Sequence, residues 1–308
     1  MKIITLTVNP SIDKSTNIGQ LVAEHKMRCD TPRFDAGGGG INVSKAIKKL
    51  GGQSRAIFTA GGPSGQLLQD LLTQGGIDSQ VIATQEWTRE NFIVTETSTN
   101  AQYRFGMAGP TLTEAETEAI LHALAHSKAD YLVASGSLPP HMSPHFYEKV
   151  AAVAHQINAK LILDTSGEPL RAACDEGVFL LKPSVDELEK LVGATLAPND
   201  VDDAARTLIG NGKCEVVVVS LGAKGAILVT KDLCQHVPAP PIQKRSTVGA
   251  GDSMVAGMTW ALAQGKSFEE MIRWGVACGS AATMNEGTQL FNYQDVLKLI
   301  DWLKRFAK

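Results

Sequence analysis

The run EVVVVS, residues 215–220, decides the fold class of this 308-residue chain. Four consecutive valines without a polar alternation are typical of a strand covered on both faces. Shorter apolar runs at 3–8, 131–134, 161–164 and 179–181 repeat the signal, with helical patterns between them. This alternation predicts an α/β fold with a doubly wound, mostly parallel central sheet flanked by helices, built as one domain over residues 1–308.

Two segments, at about 12–35 and 85–108, break the alternation of strands and helices. The second contains the period-2 pieces ENFIVTETS and AQYRFGM around a turn at Thr99-Asn100. They predict a small antiparallel β sheet outside the main one. Such a sheet serves as a lid over a cleft, as a dimerisation surface, or as an edge hairpin with no further task.

Composition and charge exclude several classes of protein. The chain has 29 Lys and Arg against 32 Asp and Glu, a net charge of −3, and no basic stripe, which argues against nucleic-acid binding. It shows no signal-peptide pattern and no apolar run long enough to span a bilayer. Five scattered cysteines without C-x-x-C spacing predict reduced thiols in a cytoplasmic protein.

Common nucleotide and metal motifs are missing. The first strand is not followed by G-x-G-x-x-G, which disfavours a nicotinamide dehydrogenase. Gly265–Ser267 reads GKS, but Trp260 stands where a Walker A loop needs glycine. The pairs His122/His126 and His141/His145 lack a third ligand, so a zinc site is disfavoured.

Two glycine-rich helix starts remain, at residues 37–42 and 249–252. Helix N-termini bind phosphate through free N–H groups, and loops of a doubly wound sheet converge beyond the carboxyl ends of its strands. The lone carboxylate of Asp252 has two interpretations there. It is a helix cap, or it is the base that takes a proton from an attacking hydroxyl.

AGGGGINVSKAIKKLGG (36–52) and STVGAGDSMVAG (246–257) together resemble the two signature regions of the ribokinase-type carbohydrate kinases. Further segments match in the same order along essentially the whole chain, namely NPSID, SGSLPP, LDTSGE, LKP, SLGAKGA and GSAATMNEGT. The resemblance implies a ribokinase-like fold and an ATP-dependent phosphotransferase that uses Mg²⁺ and a monovalent cation, expected to be K⁺. It favours catalysis by Asp252, with capping as a second role.

WTRENF and QYRF resemble the branch of this family that phosphorylates sugar phosphates. Glycine at position 39, where other members of the branch commonly have lysine, favours fructose 6-phosphate as the acceptor. Tagatose 6-phosphate and fructose 1-phosphate kinases are the alternatives within the branch, and a non-catalytic sugar-phosphate sensor is the alternative outside it. The intact Asp252 loop disfavours a sensor.

The resemblance also implies roles for individual residues on the acceptor side. Asp252 would act as base, and the N–H groups of Gly249, Ala250 and Gly251 would form the anion hole. The sugar hydroxyls and the existing phosphate would contact a larger set of residues: Asp13, Gly38, Gly39, Asn42, Arg89, Arg104 and Ser137. Lys26 or Arg28 would add a contact from the lid, either of the same subunit or of a partner subunit. We therefore expect a sugar-phosphate ligand. The alternating residues of Phe92–Val94 and Tyr103–Phe105 would bury one face of the small sheet against a second copy, so we also expect a homodimer formed through the β lid.

The nucleotide and the metal ions are assigned in the same way. The residues implied to bind the nucleotide or its surroundings are Lys182, Ser184, Glu187, Ser220, Gly222, Gly225, Val248, Ala282 and Asn285. Glu187 would hold Mg²⁺ through water, and K⁺ would lie on the mostly backbone oxygens of Ser246, Val248, Ala282, Asn285, Gly287 and Gln289. One departure stands out, because Ser184 occupies a position where the family usually has asparagine.

Overall fold

The computed structural model describes residues 1–285 and 289–306. The strands found there are β1 (Ile3–Thr7), β2 (Ser11–Ile18), β3 (Arg33–Gly37), β4 (Arg55–Ala60), β5 (Asp78–Ala83), β6 (Arg89–Glu96), β7 (Ala101–Phe105), β8 (Tyr131–Ser135), β9 (Lys160–Asp164), β10 (Val178–Leu181), β11 (Cys214–Ser220), β12 (Ala226–Val229) and β13 (Cys234–Val237). The helices are α1 (Gly39–Lys49), α2 (Gly62–Gln74), α3 (Glu114–Ala125), α4 (Phe146–Gln156), α5 (Glu168–Glu176), α6 (Val185–Val192), α7 (Val201–Gly210), α8 (Ala250–Ala263), α9 (Phe268–Thr283) and α10 (Tyr293–Phe306).

The main sheet of the described residues has the strand order β13-β12-β11-β10-β9-β8-β1-β4-β5. The seven strands from β11 to β5 in this order run parallel to one another. β12 pairs antiparallel with both β11 and β13. The predicted mostly parallel sheet is confirmed. The sequence analysis did not predict β5, β12 and β13. The edge strands β5 and β13 carry exposed polar residues instead of an apolar run, and β12 has only four residues.

Helices cover both faces of this sheet. Val216 and Val218 pack in one apolar cluster with α1, α8, α9 and α10, whereas Val217 and Val219 pack in the other with helices that include α4 and α5. All four valines are at most 1 % exposed. Burial of alternate side chains on opposite faces explains why the run contains no polar alternation.

The small second sheet has the order β3-β2-β6-β7. Its outer pairs are antiparallel as predicted, but the middle pair, β2 and β6, is parallel. The two strands follow β1 and β5, which both end at the same edge of the parallel main sheet. They therefore leave that edge in the same direction, which the hairpin pattern of residues 85–108 could not indicate.

No helix in the described part of the chain has the length and apolar content that a bilayer span requires. The five cysteines are free thiols, of which Cys174, Cys214 and Cys278 are buried.

Candidate active site

The two glycine-rich helix starts meet at the carboxyl ends of the central strands. Helix α1 begins at Gly39 and α8 at Ala250, more than 200 residues apart in sequence. Asn42 Nδ2 donates to Asp252 Oδ2 over 3.0 Å, and Ser135 Oγ, at the end of β8, donates to Asp252 Oδ1 over 3.2 Å. One carboxylate is thus held by side chains from two other elements, at the edge where doubly wound folds bind ligands.

Asp252 does not cap its own helix. The N-cap of α8 is Gly249, in the left-handed region with φ 70°, and no side chain makes a capping hydrogen bond there. The expected second role as a cap is therefore wrong. Asp252 lies in the first turn of α8. Its carboxylate is directed at Asn42 and Ser135 instead of back to the free N–H groups.

The surroundings of Asp252 raise the pKa of its carboxyl to about 6. Burial is the main cause, and the nearby carboxylate of Asp164 adds to it. The hydrogen bonds from Asn42 and Ser135 and the charge of Lys182 act in the opposite direction. A carboxylate with a pKa closer to neutrality is a better proton acceptor than an ordinary aspartate, which suits a general base.

Gly39 allows α1 to approach β8 closely. A Cβ on Gly39 would lie 2.2 Å from Ser135 Oγ and 2.7 Å from the Ser135 carbonyl carbon. Any side chain would therefore push the helix start away from the strand. The predicted residues Gly38, with φ 113°, and Gly39 belong to the backbone that brings Asn42 to Asp252.

A charged pair, Lys182 and Asp164, lies beside the carboxylate of Asp252. Lys182 Nζ is 3.1 Å from Asp164 Oδ1, and both side chains are largely buried, at 7 % and 16 % exposure. The carboxylates of Asp164, Glu187 and Asp252 together raise the pKa of Lys182, even though burial alone would lower it. The ammonium therefore stays charged, with Gly251 packed near it at the start of α8.

Ser184 and Glu187 form a capping box at the start of α6. Ser184 Oγ accepts from the Glu187 N–H at 3.3 Å, and Glu187 Oε2 accepts from the Ser184 N–H at 2.8 Å. Serine and asparagine are about equally good N-caps, so the departure from the family's asparagine leaves the local structure intact. The second oxygen of Glu187 remains available on this side of the site.

The other predicted nucleotide residues lie after β11. Ser220 N–H donates to the Pro183 carbonyl at 2.9 Å, which joins β11 to the loop that carries Lys182. Gly222 and Gly225 flank a short 3₁₀ turn with φ of 59° and 96°. A Cβ on Gly225 would lie 2.0 Å from the Val237 carbonyl oxygen, so its position requires glycine.

On the opposite side, Asp13 of β2 faces the glycine run. Its Oδ1 accepts from Ser11 Oγ at 2.8 Å and from Asn91 Nδ2 at 2.9 Å. A Cβ on Gly37 would lie 2.4 Å from Asp13 Oδ2. The carboxylate is therefore fixed next to the start of α1, and Asn91 of β6 is a partner that the sequence analysis missed.

The guanidinium of Arg89 is not free to bind phosphate, because it donates to backbone carbonyls. Its Nη1 donates to the Met107 carbonyl and its Nη2 to the Asn9 carbonyl, both at 2.8 Å, with a longer bond from Nε to Pro10. In this arrangement Arg89 ties the strand starts of the small sheet together. Burial lowers its pKa, and Asp13 opposes that effect.

The remaining predicted substrate residues are exposed. Arg104 lies on β7, pairs with Ile93 in register, and donates to Gln102 Oε1 at 2.8 Å. Strand alternation puts it on the same face of the small sheet as Asn91 and Asp13. Ser137 follows β8, whereas Lys26 and Arg28 lie in the exposed segment 19–32 and are not brought to Asp252.

The predicted cation loop is partly described. The N–H groups of Arg245 and Ser246 donate to the Thr283 carbonyl at 2.8 and 3.2 Å, so the segment before α8 lies against the end of α9. This contact brings the backbone near Ser246 and Val248 close to that of Ala282 and Asn285. Gln289 is exposed, and Gly287 lies outside the described residues.

Ser135 and Asp164 are two further site residues that sequence reasoning did not single out. Both end a central strand, β8 and β9, and both lie within the quoted segments SGSLPP and LDTSGE. A polar residue that directly follows a buried parallel strand was the available signal, since the carboxyl ends of such strands share one edge.

Known proteins are similar to this chain over nearly its whole length. The model of the pfkB family carbohydrate kinases matches residues 4–295. The chain is 43 % identical to the ATP-dependent 6-phosphofructokinase isozyme 2 of Escherichia coli K12, over 99 % of this chain and 100 % of the relative. It is 45 % identical to the isozyme of the same description in Mycobacterium tuberculosis H37Rv, over 97 % and 89 % of the two chains.

Solved structures agree with these matches. Phosphofructokinase-2 of Escherichia coli in complex with potassium superposes with a TM-score of 0.96 at 43 % identity, with 99 % of each chain covered. The same enzyme in complex with fructose 6-phosphate gives 0.94 at 41 % identity, again with 99 % of each chain covered. A tetrameric inhibited form of that enzyme also gives 0.94, at 42 % identity over 99 % of both chains.

Proposed function

The chain belongs to the pfkB family of carbohydrate kinases, and from that membership we propose that it phosphorylates fructose 6-phosphate with ATP. The product is fructose 1,6-bisphosphate. The observation that carries the proposal is the carboxylate of Asp252, held by Asn42 and Ser135 in the first turn of α8. The similar Escherichia coli enzyme, whose structure contains fructose 6-phosphate, supports this choice of acceptor.

Asp252 acts as the general base. Its carboxylate accepts the proton of the attacking sugar hydroxyl as that oxygen bonds to the terminal phosphorus of ATP and ADP leaves on the opposite side. Asn42 and Ser135 fix both carboxylate oxygens, so the base is oriented before the substrate arrives. Positioning of this kind supplies most of the catalysis in phosphoryl transfer, which needs little covalent help.

The N–H groups of Gly249, Ala250 and Gly251 bind the phosphoryl group during transfer. They lie at the start of α8, where backbone donors without intrahelical partners and the helix dipole favour an anion. The Ala250 N–H makes a long hydrogen bond of 3.4 Å to the Thr247 carbonyl, which it would exchange for a phosphoryl oxygen. Lys182 contributes a fixed positive charge, because three neighbouring carboxylates keep it protonated. Gly251 lets the phosphate approach this ammonium, since a side chain there would point toward Lys182 and Asp164.

The residues near Lys182 also suit Mg²⁺. Asp164 and Glu187 provide carboxylate oxygens on the nucleotide side, and they influence each other's charge. Magnesium in kinases is bound through one or two carboxylates together with substrate phosphates and water, so a closed protein cage is unnecessary. Asp164 and Glu187 would hold the ion, which would supply positive charge against the phosphates, while Lys182 remains paired with Asp164.

Potassium suits the loop that precedes α8. Two hydrogen bonds to the Thr283 carbonyl join the segment around Ser246 to the end of α9, a few residues before the start of α8. A monovalent cation held there by Val248, Ala282 and Asn285 would keep the Gly249 turn in place. The Escherichia coli structure in complex with potassium supports this role.

Asp13 and Asn42 hold the hydroxyls of the acceptor, next to the backbone of Gly38 and Gly39. The polar face of the small sheet, defined by Asp13, Asn91 and Arg104, supplies the contacts farther from Asp252. Arg104 and Ser137 bind the phosphate already on the sugar. Arg89 reaches that phosphate only by exchanging a backbone carbonyl for it, since its guanidinium is engaged by three carbonyls.

The opposite face of the small sheet supports a homodimer. Phe34, Lys14, Phe92 and Phe105 form one row across the four strands. The Lys14 ammonium lies 5.2 and 5.1 Å from the centres of the Phe34 and Phe92 rings. All three phenylalanines are at least 36 % exposed, and an aromatic row of this kind is typical of an interface. A second subunit on this face would also bring its Lys26 and Arg28 to the acceptor site.

The deciding experiment measures ADP release with Mg-ATP and K⁺ over fructose 6-phosphate, tagatose 6-phosphate, fructose 1-phosphate, ribose and adenosine. We expect the highest kcat/KM for fructose 6-phosphate, and we expect this activity to disappear in Asp252→Asn. A higher value for another sugar phosphate would keep the mechanism and change the acceptor. If the chain binds fructose 6-phosphate calorimetrically without any turnover, it is a sugar-phosphate sensor and the proposed activity is wrong.

A further inference from the structure

The carbonyl of Gly136 accepts two side-chain hydroxyl hydrogen bonds. Tyr147 Oη and Thr165 Oγ1 each donate to this oxygen at 3.0 Å. Tyr147 lies in the first turn of α4 with its side chain fully buried, and Thr165 directly follows β9. Gly136 itself has φ 111°, a conformation that glycine adopts without strain, so the two hydroxyls decide the direction of this peptide.

The peptide that precedes this carbonyl is fixed as well. The Gly136 N–H donates to the Asp164 carbonyl at 3.0 Å. Both peptides around Gly136 are therefore tied to β9 and α4. A short loop after a strand rarely receives three hydrogen bonds at one residue without a reason for its exact orientation.

The orientation has a direct consequence for Ser137. In a trans peptide the C=O and the following N–H point in opposite directions. Because the Gly136 carbonyl points to Tyr147 in the core, the Ser137 N–H points away from the core, toward the open edge of the sheet. Within the described residues this N–H has no acceptor, and the Ser137 side chain is exposed.

The same loop contacts the catalytic carboxylate. Ser135 donates to Asp252, and Gly39 packs against Ser135. Residues 135–137 thus connect the general base to Ser137, which stands on the acceptor side. A different orientation of the Gly136–Ser137 peptide would move the donor at Ser137.

We propose that Tyr147, assisted by Thr165, is a positioning residue for the acceptor: it directs the Ser137 N–H at the phosphate of the bound sugar phosphate. The inference rests on the proposed function, and it adds a residue that touches neither substrate. Burial, with Asp164 nearby, raises the pKa of Tyr147, so its hydroxyl stays protonated and remains a donor.

The test compares Tyr147→Phe with Tyr131→Phe. Both changes remove one hydroxyl from a buried tyrosine, but Tyr131 lies at the opposite end of β8 from Gly136. For Tyr147→Phe we expect KM for fructose 6-phosphate, and its calorimetric Kd, to rise about 3- to 10-fold, with KM for ATP unchanged. We expect Tyr131→Phe to change neither constant.

A double variant covers the case in which the Thr165 hydroxyl alone holds the Gly136 carbonyl in place. Tyr147→Phe combined with Thr165→Val removes both donors, and KM for the sugar phosphate should then rise about 10- to 100-fold. The proposal is overturned if this double variant binds the sugar phosphate as the wild type does. It is also overturned if KM for ATP rises in parallel, because that marks a general structural role.

Failure of the proposed function gives a different result. If the wild type prefers another sugar phosphate, the same variants are measured with that acceptor and the same rise in KM is expected. If the wild type turns over no sugar phosphate, the calorimetric Kd for fructose 6-phosphate is used alone. A rise of this Kd in the variants then supports the positioning role of Tyr147, and an unchanged Kd overturns it.

Discussion

Asn42 Nδ2 donates to Asp252 Oδ2 across 3.0 Å and joins two helix starts that lie 210 residues apart in the chain. The contact shows that neither side chain serves as the cap of its own helix. Asn42 does not cap α1, whose N-cap is Gly38, and Asp252 does not cap α8. Each polar side chain is instead directed at the other, which places an amide donor on a half-buried carboxylate. A contact of this kind orients a base and lowers its pKa against the effect of burial.

Asp252→Asn should abolish turnover while the protein stays folded. The amide occupies the same volume but cannot accept the proton, so we expect kcat to fall about 10³-fold or more. Nucleotide binding, measured by calorimetry, should remain within a factor of about two of the wild type. Asp301→Asn, on the exposed face of α10, is the matched control and should leave kcat unchanged. A kcat close to the wild type in Asp252→Asn would exclude this carboxylate as the base.

The rate should depend on pH through the same carboxyl. Its pKa is raised to about 6, and only the deprotonated form accepts a proton. With substrates saturating, kcat should therefore be constant above this pKa and decrease tenfold per pH unit well below it. The residual activity of Asp252→Asn should lack this acid limb. If the acid limb of the wild type lies near the ordinary pKa of aspartate, the pKa of Asp252 is not raised in the enzyme.

Asn42→Ala should move the acid limb upward. Removal of the amide takes away a hydrogen bond that lowers the pKa of Asp252, so burial and Asp164 act with less opposition. We expect a shift of about 0.5 to 1.5 pH units together with a lower kcat, measured as a full pH–rate profile. Asn199→Ala, at an exposed position, provides the control. A limb that stays in place would mean that Asn42 does not set the protonation of the base.

The sequence predicted most of this arrangement for identifiable reasons. Unbroken apolar runs such as 215–220 indicated a buried parallel sheet, and the glycines at 37–40 and 249–251 marked two helix starts with room for an anion. What sequence spacing could not provide was their meeting point, because the Asn42–Asp252 contact depends on how α1 and α8 pack.

Other residues escaped prediction because their signal is tertiary. Ser135 and Asp164 look like ordinary strand ends until the carboxyl edge of the sheet brings them to Asp252 and Lys182. Arg89 carries the charge expected of a phosphate ligand. Its hydrogen-bond partners, however, are the carbonyls of Asn9, Pro10 and Met107, which only the folded chain brings together. The parallel pairing of β2 with β6 likewise follows from the main sheet.

Lys182→Met should weaken ATP binding and destabilise the fold. The change removes the counter-charge of Asp164, which is 16 % exposed, and an uncompensated buried carboxylate costs about 3–5 kcal/mol. We expect a lower Tm and a KM for ATP raised about tenfold or more. The double variant Lys182→Met with Asp164→Asn should recover Tm because no buried charge is left unpaired, but it should not recover KM for ATP. Recovery of both would show that Lys182 has only a structural role.

Gly39→Ala should separate the two halves of the site. Its Cβ would lie 2.2 Å from Ser135 Oγ and 2.7 Å from the Ser135 carbonyl carbon, so the start of α1 must move away from β8. Overpacking of this kind costs about 1–3 kcal/mol, and the movement carries Asn42 away from Asp252. We expect a lower Tm and a kcat/KM for fructose 6-phosphate reduced about 10- to 100-fold, since misplacement by about 1 Å is costly in catalysis. Gly19→Ala is the control, because a Cβ there meets no atom within 4 Å. Equal activity of the two variants would mean that the close approach of α1 to β8 is not what holds the base in place.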